Sequence, residues 1–185
     1  MVGIVGRPRV GACCMTQHRV LIPLDGSDFS RAIFDYVLKF LPASENCLIL
    51  LRVGDPPEGH VGHPIRLAAT ESPLSMYDTA HEVEAAYHPI YASQERHSAE
   101  AEFQREMQHD IRRLEQAGYR VTSHVRFGEP GEEIVAFAKV NAVELVAMTT
   151  HWRRGVNRLI FGSVAHYVAQ HLSIPVMIVR AEEAG

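Results

Sequence analysis

The segment VELVAMTTHWRRGVNRLIFGSVA, residues 143–165, decides the fold that we predict for this chain. Its apolar run Leu145–Met148 is typical of a strand that is buried on both faces. Two threonines end this run, a loop with three arginines follows, and Gly162 and Ser163 open a helical pattern. A strand, a polar loop and a helix N-terminus in this order can surround an anion with backbone N–H groups. An ordinary strand-to-helix connection has the same order, so the rest of the chain must distinguish the two.

The composition indicates one globular domain and argues against several classes of protein. The 185 residues carry a net charge of −4 with both signs mixed, so we expect no nucleic-acid partner. No apolar run approaches the roughly 18 residues of a membrane helix, and the first residues make no convincing signal peptide. The three cysteines, Cys13, Cys14 and Cys47, fit neither a disulfide framework nor a four-ligand zinc site. We therefore predict a cytoplasmic protein without a membrane partner.

The pattern of apolar residues divides the chain into two tails and one domain with an insert. Residues 1–17 are predicted to form a loose N-terminal tail, and residues 182–185 a short C-terminal tail. The domain spans residues 18–181. Within it, the prolines and histidines between about 54 and 92 predict an irregular insert.

Apolar periodicity predicts five strands joined by four helices. The predicted strands are His18–Leu24, Cys47–Val53, Tyr119–Arg126, Leu145–Met148 and Ile174–Arg180. The predicted helices are Ser30–Leu41, Ser93–Ala117, Glu132–Asn141 and residues 163–172. In the first helix, for which Ser30 is the predicted cap, the three-to-four spacing predicts a core-facing stripe of Ala32, Ile33, Tyr36, Val37, Phe40 and Leu41.

This alternation of strands and helices predicts an α/β fold, an open and doubly wound parallel sheet with helices on both faces. Ligands in such sheets bind beyond the carboxyl ends of the strands, where the strand order reverses. Pro23–Ser27 and Thr149–Ser163 follow the first and the fourth strand. We expect these two segments to frame a binding crevice.

Four segments carry a likeness to a known family: LIPLDGSDFSRAI (21–33), CLILLRV (47–53), FGEPGEEIVAFA (127–138) and THWRRGVNRLIFGSVAHYVAQHLSIPVMIVR (150–180). Together they resemble a universal stress protein domain of the UspA type. The resemblance extends over about residues 18–181, and the segments occur in the family's order. It implies a five-stranded Rossmann-like sheet in the strand order 3-2-1-4-5.

The resemblance implies an ATP site, because one branch of the family binds ATP through a loop of the pattern G-x2-G-x9-G-[ST]. On this chain the three glycine positions are Thr149, Trp152 and Gly162, followed by Ser163, so two of the glycines are replaced. No metal is expected beyond the Mg²⁺ that accompanies ATP. The nucleotide-binding residues that we predict, including two from the charged loop, are Pro23, Asp25, Val53, Thr149, His151, Arg153, Gly162, Ser163 and Val164.

These residues also have structural interpretations, which the sequence leaves open. Asp25 would cap the turn or the next helix, Ser163 would cap the helix that it opens, and the arginines would form a solvated loop. Trp152 would block the pocket, stack on a base or pack on the insert, and we favour packing or partial occlusion. His60 and His63 lack a third ligand at a diagnostic spacing, so we predict no metal site.

The sequence predicts a binding protein rather than an enzyme, because no set of nucleophile, base and orienting group is visible. Slow ATP hydrolysis or autophosphorylation would be a secondary property. One hypothesis is a nucleotide-linked stress-response module, and the alternative is a UspA-like protein that binds no nucleotide and acts through protein–protein interaction. A third hypothesis is a metal- or redox-responsive protein that uses Cys47 and the histidines. The resemblance also implies a homodimer through the last strand, Val176–Arg180, whose apolar edge would otherwise be exposed.

Overall fold

The computed structural model describes residues 17–55, 89–150 and 162–180, without the side chains of residues 89–94. In chain order its elements are β1 (His18–Leu24), α1 (Asp28–Arg31), α2 (Ile33–Phe40), β2 (Asn46–Gly54), α3 (Pro89–Gln116), β3 (Arg120–Phe127), α4 (Pro130–Val140), β4 (Leu145–Thr150), α5 (Ser163–His171) and β5 (Val176–Arg180). The sheet and the helical residues from 103 onward belong to one compact unit, and residues 89–102 belong to a second.

The five strands form one parallel sheet in the order β3-β2-β1-β4-β5. The predicted fold class and strand order are therefore confirmed. The chain builds β1, β2 and β3 outward on one side and then returns to place β4 on the other side of β1. In the pairing of β1 with β4, Val20 lies opposite Leu145 and Leu21 opposite Val146.

One face of the sheet is covered by the first helices and by α3. Successive residues of a strand point to opposite faces, so alternate residues of β1 supply the two halves of the core. Val20 and Ile22 of β1 belong to a cluster with Phe34 of α2 and with Met107 and Leu114 of α3. All five side chains are buried.

The opposite face is covered by α4 and α5. Leu21 of β1 and Val146 of β4 belong to a second cluster with Ile134 and Phe137 of α4 and Val168 of α5. Each is at most 3% exposed, and burial of one such side chain contributes about 1.5–3 kcal/mol. The two clusters hold the sheet rigid, which fixes the positions of the strand ends.

The first crossover differs from the predicted single helix at its start. It consists of α1 and α2, separated by Ala32. Ser27, rather than Ser30, is the N-cap, since its hydroxyl oxygen accepts a 3.1 Å hydrogen bond from the Ser30 N–H. Ser30 is itself a buried residue of α1, and its hydroxyl donates to the Ser27 carbonyl at 2.8 Å. The prediction placed the cap three residues late because the sequence offers two serines just before the apolar residues of the helix.

The residues of α2 that face the core agree with the prediction only in part. Ile33, Phe34 and Val37 are fully buried, whereas Tyr36 and Phe40 are 40% and 57% exposed. These two exposed rings stack on each other with their centroids 6.5 Å apart. Ile33 and Val37 belong to the predicted stripe, whereas Phe34 is buried in place of Tyr36 and Phe40, because several overlapping three-to-four spacings fit this apolar sequence.

The other strands and helices occur where the sequence predicts them, and the largest difference is the start of α3 at Pro89 rather than Ser93. Of the predicted tails, only residue 17 lies within the described ranges, and most of the insert at 54–92 lies outside them. These domain boundaries remain predictions. Within the described ranges, no helix has both the length and the apolar character needed to cross a bilayer.

Cys47 corrects the prediction that the cysteines form no disulfide. It lies fully buried in β2 and is disulfide-bonded. A reducing cytoplasm therefore no longer follows from the cysteine content alone.

The C-terminus of α4 carries an unusual backbone conformation at Ala142, whose φ is +49°. The preceding Asn141 N–H donates to the Phe137 carbonyl at 3.0 Å, and the following Val143 N–H donates to the Ala138 carbonyl at 3.1 Å. The second bond is that of a Schellman motif, in which glycine usually occupies the position of Ala142. A non-glycine residue in this region costs about 1–2 kcal/mol.

We predict that Ala142→Gly stabilises the protein by about 0.5–1 kcal/mol, because relief of the left-handed conformation exceeds the added entropy of the unfolded chain. The same exchange in Ala136→Gly, at an exposed position inside α4, should destabilise by about 1 kcal/mol. Urea unfolding of both variants measures the two effects. Equal destabilisation by both would contradict the prediction.

Candidate functional site

A cavity of about 240 Å³ lies at the carboxyl edge of the sheet. Its walls come from the ends of β1, β2 and β4 and from the N-terminal parts of α1, α4 and α5. The lining residues are Pro23, Leu24, Asp25, Phe29, Ser30, Val53, Pro130, Ile134, Met148, Thr149, Thr150, Gly162, Ser163, Val164 and Ala165. The cavity thus occupies the place where ligands bind in open parallel sheets.

The cavity forms at this point because the strand order reverses between β1 and β4. Crossovers leave the two neighbouring strands in opposite directions, so the helices that follow them leave a gap at the shared edge. Asp25 and Thr149, the predicted ends of the crevice, both line this gap. The structure therefore brings the first predicted segment together with the described ends of the second.

The turn after β1 directs the Asp25 carboxylate into the cavity wall. Gly26 at the centre of the turn has φ +87°, a conformation that favours glycine. The Ser27 hydroxyl donates to Asp25 Oδ1, and the Ser27 N–H donates to the same oxygen at 2.9 Å. Because Ser27 also caps α1, the conformation of the carboxylate is tied to the start of the helix.

These contacts favour the ionised form of Asp25. Partial desolvation by the cavity walls raises the pKa of the carboxyl, although the residue as a whole is exposed at the rim. Hydrogen bonds from Ser27 and Ser30, together with the charge of Arg52, lower it further than desolvation raises it. The net result is a pKa below the ordinary value, so Asp25 is a charged hydrogen-bond acceptor at neutral pH.

The N-terminus of α5 forms another part of the wall. Its N-cap is Gly162, which provides no side-chain capping bond, so the predicted capping role of Ser163 is wrong. The Gly162 N–H donates to Thr150 Oγ1 at 2.9 Å. The next three residues, Ser163 to Ala165, line the cavity, and their N–H groups have no acceptor within the helix. A helix N-terminus of this kind binds anions.

Thr149 and Thr150 belong to β4, which extends two residues beyond the predicted apolar run. Thr149 is paired with Val179 and Thr150 with Arg180 of β5. The sequence predicts that both threonines belong to the start of the loop. Parallel pairing with β5 instead keeps them in the strand, and β-branched residues fit such positions well.

The cavity therefore contains seven of the nine predicted site residues. His151 and Arg153 lie outside the described residues, as do Trp152 and the histidines of the insert. Sequence analysis missed the contribution of Phe29 and Ser30 from α1. Ser30 could have been predicted from the sequence, because it follows the Asp25 turn by only a few residues.

Among the described lining residues, Asp25 is the one side chain with an ionisable group. Hydroxyls from serines and threonines supply the other polar side-chain groups, and the remaining side chains are apolar or absent. Within the described ranges, no three His, Cys, Asp or Glu side chains are grouped so that they could hold a metal ion. This set of groups can bind and orient a polar ligand.

Comparison with known sequences connects this fold and cavity to a family. The family model described as "Universal stress protein family" matches residues 17–180. The universal stress protein YxiE of Bacillus subtilis is 23% identical over 163 residues, which are 88% of this chain and 99% of that protein.

Solved structures show the same fold. The MJ0577 protein of Methanocaldococcus jannaschii has a TM-score of 0.63 at 20% identity, over 92% of this chain and 100% of that one. A universal stress protein solved in complex with cAMP has a TM-score of 0.53 at 20% identity, over 90% of this chain and 99% of that one. At these identities the similarity concerns the fold alone.

We predict that Asp25 makes stability depend on pH in the acid range. A carboxyl with a lowered pKa in the folded state stabilises the protein above its unfolded pKa of about 3.9, and this contribution is lost as the pH falls through the folded pKa. The free energy of unfolding should therefore exceed that of Asp25→Asn by more at pH 6.5 than at pH 3. Urea unfolding at both pH values provides the measurement, and an equal difference at the two would contradict the prediction.

Proposed function

Because this chain belongs to the universal stress protein family, we propose that it is a stress-response module that binds an adenine nucleotide in the cavity at the ends of β1 and β4. The observation that carries the proposal is the presence of a charged acceptor, Asp25, and a helix N-terminus without a capping side chain in one cavity. A nucleotide has hydroxyl and amino donors at one part and an anionic phosphate at another. The cavity offers a matching group for each.

The sheet order supports an orientation for the nucleotide. Along the carboxyl edge, Val53 lies one residue before the end of β2, Asp25 follows β1 and Thr150 ends β4, in that spatial order. The base would lie towards Val53, and a ribose hydroxyl would donate to Asp25. The phosphate would accept from the N–H groups at the start of α5. ATP is the nucleotide that the family pattern suggests, with Mg²⁺ accompanying its phosphates.

The size of the cavity is consistent with this orientation. Its volume of about 240 Å³ is below the roughly 300–1,000 Å³ of typical ligand pockets. We infer that the described walls enclose the nucleoside part and that the phosphates extend beyond them. The related structure that contains cAMP supports an adenine nucleotide as the class of ligand.

The replaced glycines of the loop pattern favour the alternative function, a protein that binds no nucleotide and acts through partner proteins. Thr149 is the less serious replacement, because it occupies a regular strand position opposite Val179, where a Cβ is accommodated. Trp152 is the more serious one, since an indole replaces a hydrogen atom. If its bulk alone excludes the ligand, Trp152→Gly should create or strengthen nucleotide binding.

We predict that isothermal titration calorimetry detects binding of ATP, ADP or AMP, and that Asp25→Ala weakens it about tenfold or more through loss of a charged hydrogen bond. Asp35→Ala is the matched control, because it removes a carboxylate from α2 outside the cavity. Absence of both heat and a thermal shift at millimolar nucleotide would reject the proposal. Binding that appears only in Trp152→Gly would favour the alternative.

We also propose that the protein is a homodimer in which β5 pairs with its twin. β5 lies at the edge of the sheet, and its residues Val176 to Val179 are only partly buried. An apolar edge of this kind is usually covered, and a two-fold pairing would cover it.

The cytoplasmic location that we predict from the sequence is a separate proposal.

Light scattering at micromolar concentration should give the mass of a dimer. Val176→Lys should shift the mass towards the monomer, because it places a charge in the edge strand. Val140→Lys, at a residue of α4 that is 57% exposed, should leave the dimer intact. A monomeric wild-type protein would reject the proposed dimer.

A further inference from the structure

Two arginines from different elements contact Gly26, the central residue of the turn that holds Asp25. Arg31 of α1 donates from Nη1 to the Gly26 carbonyl at 2.9 Å. Arg52 of β2 lies beside the same residue, since a Cβ on Gly26 would be 3.1 Å from Arg52 Nη2. Neither arginine lines the cavity. Their shared contact is therefore with the support of the site.

Arg31 connects this turn to a buried carboxylate on α3. Its Nε donates to Asp110 Oδ2 at 2.9 Å, and Asp110 is only 3% exposed. The same guanidinium also donates from Nη1 to Asp28 at 3.1 Å. A buried carboxylate that loses its partner is strongly destabilised, so Asp110 holds Arg31, and with it the Gly26 carbonyl, in one geometry.

Arg52 contacts the same helix, α3, about one turn before Asp110. Its Nε lies 3.9 Å from Glu106 Oε2, and its guanidinium lies over the Phe103 ring at 4.7 Å. Its Nη1 also donates to the carbonyl of Val53, a lining residue, at 3.2 Å. Glu106 and Asp110 are four residues apart, so they lie on the same face of α3. One face of α3 thus contacts both arginines.

We propose that α3 positions Asp25 for nucleotide binding through Arg31 and Arg52, so that Asp110 and Glu106 set the affinity of a cavity that they do not touch. This inference rests on the proposed function. Arg31 and Arg52 are positioning residues because they lie at the turn that holds Asp25, and their acidic partners act through them. By linkage, a nucleotide that restrains Asp25 also restrains α3.

The first test uses a variant that preserves charge. Arg31→Lys keeps the positive charge, but an ammonium group lacks the planar fork that reaches Asp110 and the Gly26 carbonyl together. We expect AMP, titrated by calorimetry, to bind roughly 2- to 30-fold more weakly. Asp110→Asn should have the same effect. Circular dichroism and thermal unfolding establish that each variant is folded, and if Asp110→Asn does not fold, Arg31→Lys provides the test.

The chain offers a matched control in the ion pair between Arg113 of α3 and Asp35 of α2. Its atoms are 2.8 Å apart, and both side chains are largely exposed. This pair joins α3 to the first crossover without contacting the Asp25 turn. Asp35→Asn should therefore leave the affinity for AMP unchanged.

The second test measures the pKa of Asp25 by carboxyl carbon NMR and needs no nucleotide. Loosening of the turn weakens the serine hydrogen bonds, so the pKa should rise in Arg31→Lys and in Asp110→Asn. Simple removal of the negative charge of Asp110 would instead lower it. The sign of the shift in Asp110→Asn thus separates positioning from long-range electrostatics.

A rise in the Asp25 pKa together with weaker AMP binding supports the proposal. An unchanged pKa in both folded variants overturns it, whatever happens to the affinity. If the wild-type protein binds no AMP but the pKa still rises in the variants, the proposed function fails while the positioning of Asp25 stands. The two failures are therefore distinguishable.

Discussion

The parallel pairing of β1 with β4 is the constraint on which the rest of this structure depends. It brings two strands that are distant in the chain to the centre of the sheet, with Leu21 opposite Val146. Their carboxyl ends must then lie side by side, and the segments that follow them must diverge. The cavity results from that divergence, before any particular side chain is considered. The side chains of Asp25 and Thr150 then give the cavity its chemistry.

The two halves of the core keep this pairing in place. β1 supplies Val20 and Ile22 to one face and Leu21 to the other, so neither face can move without disturbing the central strand. The cavity lies at the edge of this rigid region. Its apolar floor, which includes Met148 and Ile134, belongs to the same cluster that α4 and α5 bury. The described lining residues of the cavity are thus connected directly to the core.

The fold was predictable from sequence because its signals are local and repeated. Each apolar run that is bounded by polar or turn residues became a strand, and the family resemblance supplied the strand order. The phase of α2 was less predictable, because its apolar residues satisfy several helical spacings and only contact with the sheet selects Phe34 over Tyr36. Individual strand-end residues such as Asp25 were found for a similar local reason, since a turn directly follows an apolar run.

Residues that act through tertiary contacts could not be predicted from the sequence. In the sequence, Asp110 cannot be distinguished from the other charged residues of its helix. Nothing nearby in the chain indicates that it pairs with Arg31, which lies 79 positions earlier. Ser30 looks like a cap until the Ser27 side chain is seen to take that role. Both cases depend on which elements become neighbours, and single-sequence patterns carry little information about such long-range pairs.

The hydrogen bond between Thr150 Oγ1 and the Gly162 N–H has a consequence for how this kind of site can diversify. It pins together the two ends of an eleven-residue stretch, residues 151–161, independently of what lies between them. Because the entropy of closing a loop changes slowly with its length, substitutions and small insertions between these anchors leave the strand end and the helix start in register. The sequence between these anchors can therefore vary in evolution while the scaffold on either side is inherited unchanged.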